Sequence, residues 1–189
     1  MTQKQDRRYH GAHRVLAALL MLAVSVATVF AAGVWYTAAR AEFLTAAEGV
    51  TVPLSVARVL SVTQEERAMY RVESAAQAED TAGQVTGFLI ITSARGYKSD
   101  IRVQCTFAAD GKTLAGIRVL SQDETEYLGT RVESTEFTGL FMGRRAPMKL
   151  WGSAAYGSPI DAISGSTVSS QAVVDAVNHA YAFLQQRAA

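Results

Sequence analysis

From Val15 to Tyr36 the chain reads VLAALLMLAVSVATVFAAGVWY, without one charged side chain. No other feature limits the fold as strongly. About 20 apolar residues in a helix cross the hydrocarbon core of a bilayer, where every backbone N–H and C=O needs an internal partner. Lys4, Arg7, Arg8 and Arg14 precede the run with only Asp6 opposing them, and Arg40 is the one basic residue just behind it. Cytoplasmic flanks carry the excess of Lys and Arg. The expected organisation is therefore a cytoplasmic basic tail over 1–14 and a single pass of the membrane over 15–36. Everything beyond would lie on the extracytoplasmic side, with Trp35 and Tyr36 at the interface. The competing reading is a cleaved signal peptide with a processing site at Ala39-Arg40-Ala41. Signal cores hold only about 7 to 15 apolar residues, so the longer run favours an anchor.

Charge follows the same division. The chain carries +1 overall and its first fourteen residues carry +3, which leaves −2 for the remainder. An exported part with that balance is no electrostatic match for nucleic acid. The single cysteine, Cys105, excludes an internal disulfide and any four-cysteine metal or iron–sulfur site. A membrane-proximal segment over 37–66 and one domain over 67–189 are expected, the latter large enough to bury its own core.

Within that domain the expected fold class is α+β, an antiparallel sheet with flanking helices. Met69 to Ser74 predicts a strand, with Tyr70 and Val72 alternating against Arg71 and Glu73, while the preceding PLSVARVLSVTQEER is open between helix and extended chain. VTGFLIITS is a β-branched apolar run of the kind that forms buried strands. IRVQCTF alternates, with Ile101, Val103, Cys105 and Phe107 on one face. Asp110-Gly111 predicts a hairpin turn into LAGIRVLS. Residues 123–143 are expected to be irregular or weakly helical. A closing helix carries Val173, Val177, Tyr181 and Leu184 on one stripe, with Asp175 and His179 pointing away.

Several motifs fail on inspection. Gly111-Lys112-Thr113 ends like a phosphate-binding loop, but Thr106 stands where its first glycine belongs, and a strand rather than a helix follows. Ser164 lacks the glycine two residues earlier that a nucleophile elbow requires, since Ala162 is there. His10, His13 and His179 are too scattered for a triad or a zinc site. Cys105 belongs to the apolar face of a strand. Asp123, Glu124 and Glu126 lack calcium-loop spacing, and no metal is expected.

The stretch DAISGSTVSS, Asp161 to Ser170, opens the last helix and is rich in hydroxyls. Serine caps helices by accepting from unpaired N–H groups, and that reading alone accounts for some of it. The second reading is an anion site. A helix N-terminus offers N–H groups and the positive end of its dipole, Gly165 permits close approach, and Ser164, Ser166, Thr167, Ser169 and Ser170 add donors.

Asp161-Ala162-Ile163-Ser164-Gly165-Ser166-Thr167 resembles the flavinylation motif Asp-x-x-Ser/Thr-Gly-Ala-Thr/Ser of the FMN-binding domain family, with Ser166 where alanine is commonest. Gly96-Tyr97, the Asp-Gly hairpin, then Glu124-Thr125 and Leu128-Gly129 resemble the family's Gly-Tyr and Glu-Thr-Pro-Gly-Leu-Gly patterns, with Glu126 and Tyr127 replacing Pro-Gly. The resemblance covers most of residues 70–186. It implies FMN joined covalently through its phosphate to the Thr167 hydroxyl by a separate flavin transferase. It further implies a cofactor site of Asp161, Ser164, Gly165, Ser166, Ser169, Ser170, Glu124, Thr125, Leu128, Gly129 and Tyr97, with Trp151 and Tyr156 as weaker ring neighbours. One anchor and one compact domain are most similar to the flavin-carrying subunits of Rnf-type complexes. That implies electron transfer coupled to ion translocation between ferredoxin and NAD, with the other membrane subunits as partners and no catalytic residue in this chain. Two alternatives stay open: a reversible flavin or phosphate-ligand module, and a cofactor-free anchored scaffold.

The orientation is checked by fusing, after Ala189, a reporter active only outside the cytoplasm. An active fusion is expected; a silent one overturns the topology.

Overall fold

The computed structural model describes residues 56–188. The expected tail and membrane span, and the alanine-rich segment after them, lie outside the described residues. Among the described residues no helix is long and apolar enough to cross a membrane.

The central element is a five-stranded antiparallel meander, β1 (Val56–Leu60), β2 (Val72–Glu79), β3 (Val85–Arg95), β4 (Asp100–Ala108) and β5 (Leu114–Ser121), in sequential order. The β4 alternation holds: Ile101, Val103, Cys105 and Phe107 are all fully buried. Its other face is closed as well at the centre, where Gln104 and Thr106 are 2% and 1% exposed. The hairpin from β4 to β5 forms at Asp110-Gly111. Asp110 Oδ1 accepts from the Lys112 and Thr113 backbone N–H groups, and Gly111 takes a φ of 60°.

One strand differs from expectation. The strand expected over Met69–Ser74 is divided: α1 (Gln64–Tyr70) precedes β2, and Arg71 at φ 51° ends the helix. The reason is a capping box. Thr63 Oγ1 accepts from Glu66 N while Glu66 Oε2 accepts from Thr63 N, so two unpaired donors are satisfied reciprocally. Ahead of α1, the segment left open between helix and extended chain forms β1, an edge strand paired with β2 so that Val56 lies opposite Glu79 and Leu60 opposite Ala75. The sheet therefore draws in residues that precede 67.

Past β5, a 3-10 turn (Gly129–Glu133) and a short helix α2 (Thr135–Gly139) match the weakly helical expectation. A two-stranded parallel pair, β6 (Met148–Leu150) with β7 (Ser158–Ile160), is too short to leave a periodic signal. The chain closes with α3 (Thr167–Ala188), 22 residues laid across β3 and β4. Val173, Val174, Ala176, Val177, Ala180 and Phe183 are fully buried against Ile101, Val103 and Phe107 of the sheet core. Tyr181, expected in the stripe, is only half-buried, and Phe183 takes the deeper position. His179, expected to point away, is half-buried instead, its Nδ1 3.2 Å from the Ser93 carbonyl of β3.

Both ends of α3 are tied down. At its C-terminus Arg187 grips both Glu66 oxygens, bonds the Ser61 carbonyl and stacks 4.5 Å over the Phe183 ring, which packs edge-on to Tyr70 at 6.4 Å. The N-terminus, beginning at Thr167, lies at the opposite end of the sheet, beside the β3–β4 turn and the chain that follows β5. That placement creates the site.

Candidate functional site

The approach to α3 is built by its own sequence. Gly165 adopts a φ of 78°, a backbone conformation that favours glycine, and a Cβ there would come within 3.3 Å of Leu128 Cδ2. Ser166 N donates to the Ile163 carbonyl and Ser170 N to the Ser166 carbonyl, so chain reversal passes directly into helix. Ser170 Oγ donates to the Ser166 carbonyl and accepts from Ile163 N. Thr167 is thereby left exposed at the first helical position, while Ser166 and Ser169 turn inward.

Facing this turn is the β3–β4 connection, Gly96 to Ser99, and behind both lies Glu124. Its side chain is buried, with the residue only 4% exposed. Glu124 Oε1 accepts from the Lys98 and Ser99 backbone N–H groups, each at 2.9 Å, and Oε2 accepts from Tyr97 N at 3.0 Å. Oε2 also accepts from the Ser169 hydroxyl at 2.5 Å. The space for this carboxylate is made by two glycines: a Cβ on Gly96 would lie 2.7 Å from Glu124 Oε1, and one on Gly129 would lie 2.5 Å from Glu124 Cβ. Burial raises the Glu124 pKa, but the bonds from Ser169 and from Ser99, Lys98 and Tyr97 N–H outweigh it and hold the carboxyl below its ordinary value of 4.5. Glu124 is therefore a carboxylate at neutral pH.

The two walls enclose an open cleft of about 510 Å³ lined by Tyr97, Thr125 and Leu128 on one side and Gly165, Ser166, Thr167, Val168 and Ser169 on the other. Its rim is apolar: Tyr97, Leu128 and Val168 are all more than 40% exposed.

Of the residues singled out in the sequence, the structure brings Tyr97, Thr125, Leu128, Gly165, Ser166, Thr167 and Ser169 to this cleft. Glu124 and Gly129 lie beneath it, as support and clearance, rather than as a polar neighbour and cover for a ring. Ser169 and Ser170 differ from the donor role expected of them, because their hydroxyls are committed to Glu124 and to the Ser166 carbonyl. Asp161 and Ser164 are exposed and are not among the lining residues, nor are Trp151 and Tyr156, both more than 70% exposed. Asp123 leaves the acidic cluster to pair with Lys98 Nζ at 3.1 Å. Tyr127 takes a φ of 64°, which explains why glycine suits that position of the motif.

The residues present fit a phosphorylated planar ligand. The volume falls within the usual range for small-molecule sites, roughly 300 to 1,000 Å³. A helix N-terminus with an exposed hydroxyl serves the anionic end, and the apolar rim serves a flat ring. Ser166 Oγ is buried with no hydrogen-bond partner among the described residues, which leaves a polar group in the cleft wall unsatisfied.

Comparison with known proteins agrees. Residues 96–182 match the FMN-binding domain family. The chain is 35% identical over 101 residues to the G subunit of the ion-translocating oxidoreductase complex of Methanosarcina acetivorans, covering 53% of each chain. It is 34% identical over 101 residues to the G subunit of the Na(+)-translocating ferredoxin:NAD(+) oxidoreductase complex of Acetobacterium woodii, covering 51% of this chain and 48% of the relative. The chain thus spans about half the length of the curated relatives it matches. Among solved structures, NqrC of Shewanella oneidensis aligns with a TM-score of 0.50 at 22% identity over 61% of each chain. The C subunit of the Na(+)-translocating NADH-quinone reductase from Parabacteroides distasonis aligns with a TM-score of 0.51 at 19% identity, over 69% of this chain and 78% of that one. The structural likeness establishes the shared α+β fold.

The carboxylate generates a stability prediction. A group with a depressed folded pKa stabilises the fold fully above its unfolded value, and that stabilisation is lost as pH falls through the folded value. Glu124→Gln should cost about 3 kcal/mol at neutral pH, because an amide turns donors toward donors. The difference from the unsubstituted protein should shrink as pH drops below 4.5. Urea unfolding at neutral and acid pH measures it; a gap that widens in acid contradicts this account.

Proposed function

We propose that this chain, whose residues 96–182 match the FMN-binding domain family, is an electron-transfer subunit that carries FMN through a phosphoester to Thr167, within a membrane complex that couples electron transfer to ion translocation. The observation that carries the reading is the placement of Thr167: an exposed hydroxyl at the first position of a 22-residue helix, on the wall of a cleft with an apolar rim. The similarity to the two G subunits supports the place in an Rnf-type complex, with its other membrane subunits as partners.

Attachment requires a separate flavin transferase and FAD. The Thr167 oxygen forms a bond to the FMN phosphorus, the pyrophosphate bond of FAD breaks, AMP leaves with that bonding pair, and the hydroxyl proton is released. Once esterified, Thr167 has no acid–base role; it is a tether. The first turn of α3 lies beside the phosphoester, where its N–H groups and dipole favour negative charge. Tyr97, Leu128 and Val168 offer apolar surface to a ring at the rim of the cleft, and Thr125 adds a polar group to the lining. The bound flavin supplies the capacity to accept and donate electrons, at a potential set by the protein contacts around its ring. With the basic tail and apolar run at the N-terminus, the reading places the domain outside the cytoplasm of a bacterial inner membrane. A covalent link there prevents loss of the cofactor to a large volume.

The test is flavin fluorescence of the denatured chain on a gel after co-expression with a flavin transferase. A fluorescent band is expected for the unsubstituted chain, and none for Thr167→Val, which should fold and insert normally. Free FMN released on denaturation supports the reversible binder instead, and equal covalent fluorescence in Thr167→Val places the ester elsewhere.

A further inference from the structure

Thr167 and Ser169 are two positions apart at the start of α3. Two steps of about 100° turn the helix by roughly 200°, so their side chains leave opposite sides of it. The structure follows this geometry: Thr167 is exposed, and Ser169 is 2% exposed. Ser169 Oγ donates to Glu124 Oε2 at 2.5 Å. The other polar contacts at this end, Ser170 Oγ with the Ser166 carbonyl and with Ile163 N, stay within the loop and the helix itself. They set local conformation but cannot fix the helix against the opposite wall. Gly165 has no side chain with which to hold the opposite wall. Among the described residues, the Ser169 hydroxyl is thus the polar link from the first turn of α3 to the wall formed by residues 96–99 and 124–128.

Its acceptor is immobile. Three successive backbone N–H groups hold both carboxylate oxygens. A hydrogen bond to a fixed, ionised acceptor is both strong and directional.

We propose that Ser169 is a positioning residue for the tether: its bond to Glu124 fixes the rotation of the first turn of α3, and hence the direction in which Thr167 presents its hydroxyl from the exposed side of the helix. This rests on the reading of Thr167 as the flavin attachment point. Bonding on the buried side of the helix sets the azimuth of the exposed side, and group transfer between positioned atoms is sensitive to displacements of about 1 Å, which cost on the order of 100-fold.

The experiment incubates the purified full-length chain, free of flavin, with flavin transferase and FAD, and follows covalent flavin against time. Folded fraction is measured on the same samples by circular dichroism. Ser169→Ala should remain folded and load roughly 10- to 100-fold more slowly. The flavin it does acquire should show an altered visible circular dichroism, reporting a changed orientation. Ser169→Thr, which keeps the hydroxyl, should recover most of the rate. Loading of Ser169→Ala at the unsubstituted rate overturns the proposal, as does slowing that merely tracks lost folded fraction. If Ser169→Ala does not fold, Glu124→Gln is read by the same rate per folded molecule. Failure of the unsubstituted chain to load at all refutes the tether reading itself, an outcome separate from these.

Discussion

The site depends on one buried carboxylate. Glu124 gathers the N–H groups of Tyr97, Lys98 and Ser99 and the hydroxyl of Ser169, which belong to segments far apart in sequence. Taking a charge out of water is costly unless it is fully hydrogen-bonded, and here each oxygen has at least two donors. The glycines on either side are part of the same arrangement, since a methyl group on Gly96 would meet the carboxylate and one on Gly129 the Cβ of Glu124. The form of one wall of the cleft follows from how this group is satisfied.

The rest of the fold supplies rigidity to that arrangement. The β3–β4 turn is short and continuous with two central strands, while α3 is buried along its length and locked at its far end by Arg187 on Glu66 and Phe183. A cleft between a sheet end and a helix start, each anchored in the core, changes shape little when a ligand enters. Such preorganisation suits the retention of a bound ligand.

Much of this was legible in the chain. Strict alternation from Ile101 to Phe107 and the Asp110-Gly111 turn located the meander, because period-two burial and positive-φ turns leave local signatures. The hydroxyl-rich stretch before Val173 located the cleft wall, and the Glu124-Thr125 and Leu128-Gly129 pairs located the wall opposite. What failed was what depends on distant neighbours. The burial of His179 is decided by β3, and the diversion of the Ser169 hydroxyl by an acceptor 45 residues away in sequence. Glu124 was expected at the cofactor because it opens the family's Glu-Thr pattern; in the structure its side chain turns beneath the residues that line the cleft. The capping box at Thr63 and Glu66 was a legible signal overlooked beside the alternation of Tyr70 and Val72.

The most direct test of the whole account is the mass of the proteolytic peptide containing Thr167, taken from chain produced together with a flavin transferase. The account predicts that this peptide is heavier by one FMN moiety, with fragmentation assigning the addition to Thr167. The same peptide at its unmodified mass, from protein shown to be folded and exposed to an active transferase, would contradict it.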